Sequence, residues 1–221
     1  MRTVCEGVWT VGGPELSHDS DAAIYLVEGS AGAVLIDAGT GRDADAVQRN
    51  IITAGVSLDT IRHLVLTHCH VDHAAGVPSL RAFLELEVVA HTACAEILAP
   101  GADPRTAADW YGMTMPPVWV DRSFEDVPLT LPLGDRVLVL HPWPGHSPGS
   151  IVATLGVAGQ RVLFGQDVHG PIHRQLQSDH TAWQASLRWL LTLEADILCE
   201  GHYGVIRGQN EVAGFIERFI D

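Results

Sequence analysis

The stretch Thr67-His68-Cys69-His70-Val71-Asp72-His73 directly follows the apolar run Leu64-Val65-Leu66. Three histidines and an aspartate fall within six positions, the densest chemical signal in the chain. A single histidine is most often a satisfied core or surface residue. Three of them crowded against a carboxylate behind a buried strand must be desolvated and compensated together, and a metal ion supplies that compensation. In an extended segment residues i and i+2 project to the same side, so His68 and His70 can grip one ion. If the chain then turns into a helix, Asp72 and His73 face a neighbouring position, and one motif serves as two half-sites. Cys69, on the opposite side of the extended segment, is read as packing.

Two half-sites need more ligands, and three candidates sit where loops follow short apolar strands. His146 lies in Pro144-Gly145-His146-Ser147-Pro148-Gly149, where glycines permit close approach and prolines fix direction. Asp167 ends Val162-Leu163-Phe164-Gly165-Gln166-Asp167, and His202 ends Ile197-Leu198-Cys199-Glu200-Gly201-His202. An aspartate after a strand is usually a turn or cap residue. The common placement carries the reading, because ligands of layered α/β proteins collect at one edge of the sheets.

Outward from these motifs, short glycine-punctuated apolar runs alternate with helical patterns, which predicts a layered α/β protein. Strands are expected over residues 4–11, 22–28, 33–36 and 63–66, with Gly29 and Gly32 turning a hairpin. A helix is expected from Asp43 as cap to Gly55 as stop, with Val47, Ile51 and Ala54 on its apolar face. The plan then recurs: strands over 137–140, 151–155 and 162–164, and a helix over 179–193 whose Trp183, Leu187, Leu190 and Leu191 share a face. A short strand over 197–199 and a closing helix over 211–220 follow. The reading is one domain, residues 1–221, of two similar halves, about 1–115 and 116–221, meeting at the proline-rich residues 115–117.

Composition narrows the chemistry. The chain has 27 acidic and 13 basic residues, a formal net charge of -14, and all 13 basic residues are arginines. With no lysine, Schiff-base catalysis, pyridoxal phosphate attachment and the phosphate-reaching lysine of a P-loop or kinase are excluded. So acidic a surface repels a phosphate backbone, so no nucleic-acid partner is expected. The four cysteines form no C-x-x-C pair, which points to reduced thiols. No basic-then-apolar leader and no run of about 18 apolar residues is present, so the expectation is a cytoplasmic protein without a membrane partner. A small-molecule substrate is the expected partner, with a homodimer left open.

Taken in order, these residues resemble the metallo-β-lactamase-fold superfamily of hydrolases. The likeness runs from Val34-Leu35-Ile36-Asp37, through His68-x-His70-x-Asp72-His73 and the Pro-Gly-His146-Ser-Pro-Gly loop, to Asp167 and His202. The resemblance implies an α/β fold, a four-layer αββα sandwich of two mixed β-sheets flanked by helices. It implies that His68, His70 and His146 bind one metal, that Asp72, His73 and His202 bind a second, and that Asp167 bridges them. Such donors suit zinc, two ions per chain, although iron or manganese can occupy the same ligands. A hydroxide shared by the two cations is expected to attack the carbonyl carbon of a small ester, thioester or lactone, with Asp72 as the catalytic residue that orients it. Tyr203, His169 and Tyr111 are the candidate substrate contacts, and Asp37 is a candidate for ordering the histidine turn from behind. His173, with His169, is placed at the pocket mouth, and residues 92–118 are expected to act as a substrate lid.

Within the superfamily, the branch similar to glyoxalase II shares the full ligand set and, like the lactonases, fits best. Those thioesterases hold glutathione with basic side chains partly drawn from a helical extension, whereas here 19 residues follow His202 and none is a lysine. Authentic β-lactamases generally lack the bridging aspartate. The nuclease branch needs an electropositive track, and the flavodiiron branch usually has a carboxylate at the position of His70. The alternative from another enzyme class that the resemblance implies is a mononuclear iron persulfide dioxygenase, holding iron through His68, His70 or its neighbour, His146 and Asp167. Behind it stand a phosphodiesterase and a non-catalytic metal-binding module.

Overall fold

The computed structural model describes residues 1–221. Its first sheet contains seven strands in sequence order: β1 (Arg2–Cys5), β2 (Val8–Gly12), β3 (Ile24–Gly29), β4 (Gly32–Ile36), β5 (Ile61–Val65), β6 (Glu87–His91) and β7 (Arg122–Phe124). Pairing is antiparallel from β1 to β4 and parallel from β4 to β7. The second sheet has six: β8 (Leu129–Pro132), β9 (Val137–Pro142), β10 (Ile151–Val157), β11 (Gln160–Gln166), β12 (Ile197–Glu200) and β13 (Gly204–Arg207). All its pairs are antiparallel except β11 with β12. Both sheets are therefore mixed. The chain changes sheet over residues 125–128, after β7 and beyond the proline-rich stretch.

Side-chain alternation along single strands builds the layers. In β4, Val34 and Ile36 enter a core that lies between the sheets with Tyr25, Leu140 and Phe164. Ala33 and Leu35, on the opposite face, join a second core with helices α1 (Ala44–Thr53), α2 (Val71–Ala74), α3 (Val77–Leu80) and α4 (Thr92–Leu98). A third core packs α5 (His180–Leu191) and α6 (Gln209–Glu217) on the other sheet through Trp183, Leu187, Leu190, Val212 and Phe215. The result is the expected αββα order. Central strands buried on both faces read as unbroken apolar runs, which is why Val34-Leu35-Ile36 and Leu64-Val65-Leu66 are so legible.

Local signals act where the sequence placed them. Asp43 and Asp179 accept the third backbone N–H of α1 and α5, from Ala46 and Ala182, each at 3.0 Å. Gly29 pairs with Gly32 across the β3–β4 hairpin, and a Cβ on Gly29 would press on the Leu133 carbonyl. Three features differ. The expected strand over 4–11 is broken by Glu6-Gly7, with Gly7 at φ +69°, into antiparallel β1 and β2. Strands β6, β7, β8 and β13 have no counterpart in the sequence reading. Leu191 is only half-buried. No helix is long and apolar enough to cross a membrane.

This topology sets up the site. Asp37 follows β4, the histidine turn follows β5, Asp167 follows β11 and His202 comes shortly after β12, so each parallel pair delivers its residues from the same end. His146 enters from the β9–β10 connection.

Candidate metal centre

The turn after β5 behaves as its spacing required. His68 and His70 lie in non-helical backbone, His70 is extended at φ -70° and ψ 150°, and α2 begins at Val71, swinging Asp72 and His73 to the next position. His68, His70, His146 and Asp167 bring one donor atom each to within 4.8 Å of one another, as do Asp72, His73 and His202. In the first group His70 Nδ1 lies 3.0 Å from His68 Nε2 and 3.2 Å from His146 Nε2. Asp167 Oδ2 lies 3.6 and 3.4 Å from those two Nε2 atoms. In the second, Asp167 Oδ1 lies 3.2 Å from His73 Nε2 and 3.4 Å from His202 Nε2, and Asp72 Oδ2 is 3.3 Å from His202 Nε2. One carboxylate thus offers one oxygen to each group.

These separations fit a metal. Ligands about 2.0–2.1 Å from a tetrahedral ion are roughly 3.3 Å from each other. His73 Nε2 and Asp167 Oδ1 are buried and have no hydrogen-bond partner, an arrangement that is costly unless a cation satisfies both. The donor set of imidazoles and carboxylates suits zinc, iron or manganese.

A supporting layer aims the donors. Asp37, fully buried, accepts from the Thr67 amide (2.8 Å) and hydroxyl (2.7 Å), from His73 Nδ1 (2.5 Å) and from the Gln166 side-chain amide. His146 Nδ1 pairs with the Pro171 carbonyl at 3.0 Å, and Thr67 Oγ1 lies 3.0 Å from His68 Nδ1. Each of these contacts leaves Nε2 for the centre. Asp37 and Gln166 both occupy left-handed backbone, at φ +63° and +46°, so strain is concentrated at the two strand ends that meet here. Asp37→Asn is expected to weaken metal binding 10- to 100-fold with the fold retained; equilibrium dialysis against a competing chelator measures it.

The sequence reading missed two members of this layer. Gln166 carries no sequence signal beyond its place before Asp167. Glu200, fully buried, accepts from the His202 and Tyr203 amides at 2.7 and 3.0 Å and from His169 Nδ1 at 2.7 Å. It fixes the turn that presents His202. An acidic residue ending an otherwise apolar strand was the available signal for it.

The candidate substrate contacts separate in space. Tyr111 donates to Asp72 Oδ2 at 2.7 Å, so it touches the centre directly. Tyr111 and His169 line a cavity of about 280 Å³ with Trp110, Asp72, Asp167 and His202. Tyr203 is exposed and lines a neighbouring cleft instead, its ring 5.1 Å from that of His169. The segment expected as a lid narrows: Cys94, Ile97, Leu98, Met115 and Val118 are buried in the core, which anchors both ends. Only its middle covers the cavity, where Trp110 Nε1 donates to Gln175 Oε1 at 3.1 Å and packs edge-on to His173.

Without a cation the cluster divides its protons. Burial, then neighbouring histidines, hold His68 well below its ordinary value, and burial brings His70 down to about 3. Burial also opposes charge on His73 and His202. Asp167 and Asp72 outweigh it, with Asp37 adding to the pull on His73, so that His73 stands well above its usual range and His202 at about 10. Burial would raise Asp167, but the charge of His73 and the nearby rings of His146 and His202 hold it well below the usual carboxylate range.

These opposed shifts set a stability optimum for the metal-free protein. The unfolded imidazoles titrate at about 6.5. Below that, the unfolded chain takes protons that His68 and His70 refuse, so stability falls with falling pH. His73 and His202 contribute stability that is fully present below about pH 6.5 and lost as pH rises through their folded values. Melting of chelator-treated protein from pH 5 to 9 is expected to peak near 6.5. A melting temperature that climbs steadily to pH 9 would contradict this assignment of protons.

Comparison with known proteins agrees with the geometry. The family model described as the Metallo-beta-lactamase superfamily matches residues 19–202. A metallo-beta-lactamase from Cronobacter sakazakii, a HARLDQ motif mutant, superposes with a TM-score of 0.81 over 98% of this chain and 92% of that one, at 24% identity. The acyl-coenzyme A thioesterase MBLAC2 of Gallus gallus is 34% identical over 166 residues, 66% of this chain and 57% of that protein. A hydroxyacylglutathione hydrolase of Anaeromyxobacter dehalogenans is 28% identical over 135 residues, 61% of this chain and 42% of that protein. The chain therefore spans less than two thirds of the length of these curated relatives.

Proposed function

The chain belongs to the metallo-beta-lactamase superfamily, and from that premise we propose a dinuclear metal-dependent hydrolase that opens a small ester, thioester or lactone at its carbonyl carbon. The observation that carries this reading is Asp167, set between two complete ligand groups with one oxygen toward each. A mononuclear centre would have no use for Asp72, His73 and His202 gathered on the far side of that carboxylate. His68, His70 and His146 would hold one cation, Asp72, His73 and His202 the other, and zinc suits both donor sets. Bound there, the pair supplies Lewis acidity and acidifies a water, as a single zinc already lowers its pKa to about 7.

The remaining work falls to this chain's own residues. Asp72, with Tyr111 on Oδ2, is placed to orient the attacking water by accepting its proton. Burial, then the charge and hydrogen bond of Asp72, keep Tyr111 a neutral phenol whose one O–H is committed to Asp72, so it holds that carboxylate in place beside the cavity. Glu200 binds His169 through Nδ1, leaving Nε2 as that ring's free nitrogen beside the cavity. Trp110, held by Gln175, forms part of the cavity wall. The cavity lining contains no arginine, which favours a neutral acyl group over a phosphodiester. The thioesterase and hydroxyacylglutathione hydrolase relatives support the same direction.

Metal analysis of protein purified without added metal, then a panel of thioesters, lactones and phosphodiesters, tests the proposal. About two zinc ions per chain and turnover of acyl substrates are expected. Hydrolysis confined to phosphodiesters would overturn it, as would one iron per chain with oxygen uptake on glutathione persulfide.

A further inference from the structure

A second cleft, of about 460 Å³, opens beside the metal centre and shares His202 with it. It lies where the edge strands of the two sheets, β1 and β13, face one another. Tyr25 and Val4 lie in its lining, Tyr203 stands at the junction with the metal cavity, and Arg2 and Arg207 supply its cations. Arg2 is tied to Glu15 at 2.5 Å. Arg207 is different: no carboxylate lies within 4.0 Å of its guanidinium, in a chain of net charge -14. Its Nη2 donates to the Val4 carbonyl at 2.6 Å across the gap between the sheets. That single tether fixes the head group while most of its five N–H donors remain available.

The register gives the reach. Glu200 pairs with Gly204 and Ile197 with Arg207, so Arg207 lies three residues, about 10 Å, along the strand from the turn that carries His202 and Tyr203. We propose that this cleft receives the leaving-group arm of an extended acyl substrate, with Arg207 binding a phosphate or carboxylate carried about 10 Å or more beyond the scissile bond. The metal cavity holds no arginine and is small, so it takes the acyl group; the anion is read next door. A fixed guanidinium recognises either anion by paired N–H bonds. The phosphates of coenzyme A and the carboxylates of glutathione are the two sources of that chemistry. The substrate class rests on the acyl-hydrolase reading above, whereas the anion site rests on Arg207 itself.

Equilibrium binding of non-hydrolysable thioethers to the protein as purified tests this without turnover. The probes are S-ethyl-coenzyme A, S-methylglutathione and the uncharged S-methylpantetheine, whose blocked sulfurs cannot act as thiolate ligands. One anionic probe is expected to bind at least tenfold tighter than S-methylpantetheine, and which one does so identifies the source. That margin is expected to shrink with added salt, to vanish in Arg207→Gln, which keeps a donor for Val4, and to return in part in Arg207→Lys. An unchanged margin in Arg207→Gln overturns the site, as does equal binding of all three probes to the unaltered protein. Should Arg207→Gln fail to fold, Arg207→Lys and the salt series on the unaltered protein still decide. An Arg207-dependent margin in a protein that hydrolyses no acyl substrate would leave this site standing and overturn the acyl-hydrolase reading instead.

Discussion

Asp167→Ala is expected to lower kcat/KM by roughly three orders of magnitude or more, about 4 kcal/mol of transition-state stabilisation, and to leave less than one metal ion per chain. No other residue faces both ligand groups with separate oxygens, so its loss reaches both at once. In the metal-free state the same change removes the carboxylate that faces His73 and His202. His73 then keeps Asp37 and Asp72, and His202 keeps Asp72, so part of their compensation is lost, at a cost below the about 3–5 kcal/mol of taking a buried charge's one partner away. The variant should therefore melt lower even after chelation, which separates a lost structural charge from lost metal. Metal analysis, steady-state kinetics and melting of the chelated protein read the three effects. Full occupancy, or activity within tenfold of the unaltered protein, would remove Asp167 from the centre.

The parts of this molecule that were readable from sequence are those where one physical demand dominates. Val34-Leu35-Ile36 and Leu64-Val65-Leu66 read as buried strands because both their faces are covered. The ligand motifs read clearly because His68, His70, Asp72 and His73 have no inexpensive alternative to a cation at that spacing. Strand β13 was opaque for the opposite reason. Gly204-Val205-Ile206-Arg207 is short, lies at a sheet edge and ends in an exposed arginine, so only its pairing with β12 makes it a strand. Gln166 was hidden because its work is done by a hydrogen bond to Asp37, 129 residues away in the chain, which no local pattern encodes; Glu200 is marked only by its charge at the end of an apolar strand, while its partner His169 lies 31 residues away. Tyr203 shows the limit of proximity in sequence. Adjacent to His202, it nevertheless faces the cleft of Arg207 more than the metal cavity, because Glu200 holds both amides of that turn and Tyr203 packs edge-on between His169 and Phe215.

Removal of metal is expected to lower the melting temperature by roughly 8–16 °C for each ion bound at a thousandfold excess over its Kd. At that excess a ligand that binds only the folded chain stabilises it by about 4 kcal/mol, and each kcal/mol moves the midpoint of a chain of this size by about 2–4 °C. The two ions should not contribute alike. His68 and His70 are already neutral when the centre is empty, so those two rings accept a cation without releasing protons. His73 and His202 carry protons in that state, and a cation entering the second group must displace them. The stabilisation from the second ion is therefore expected to grow as pH rises from 6 to 8, while that from the first changes little. Melting curves of chelated protein titrated with zinc at pH 6 and pH 8 separate the two. Two increments of equal size at both pH values would show that the protons do not lie where the carboxylates around His73 and His202 place them.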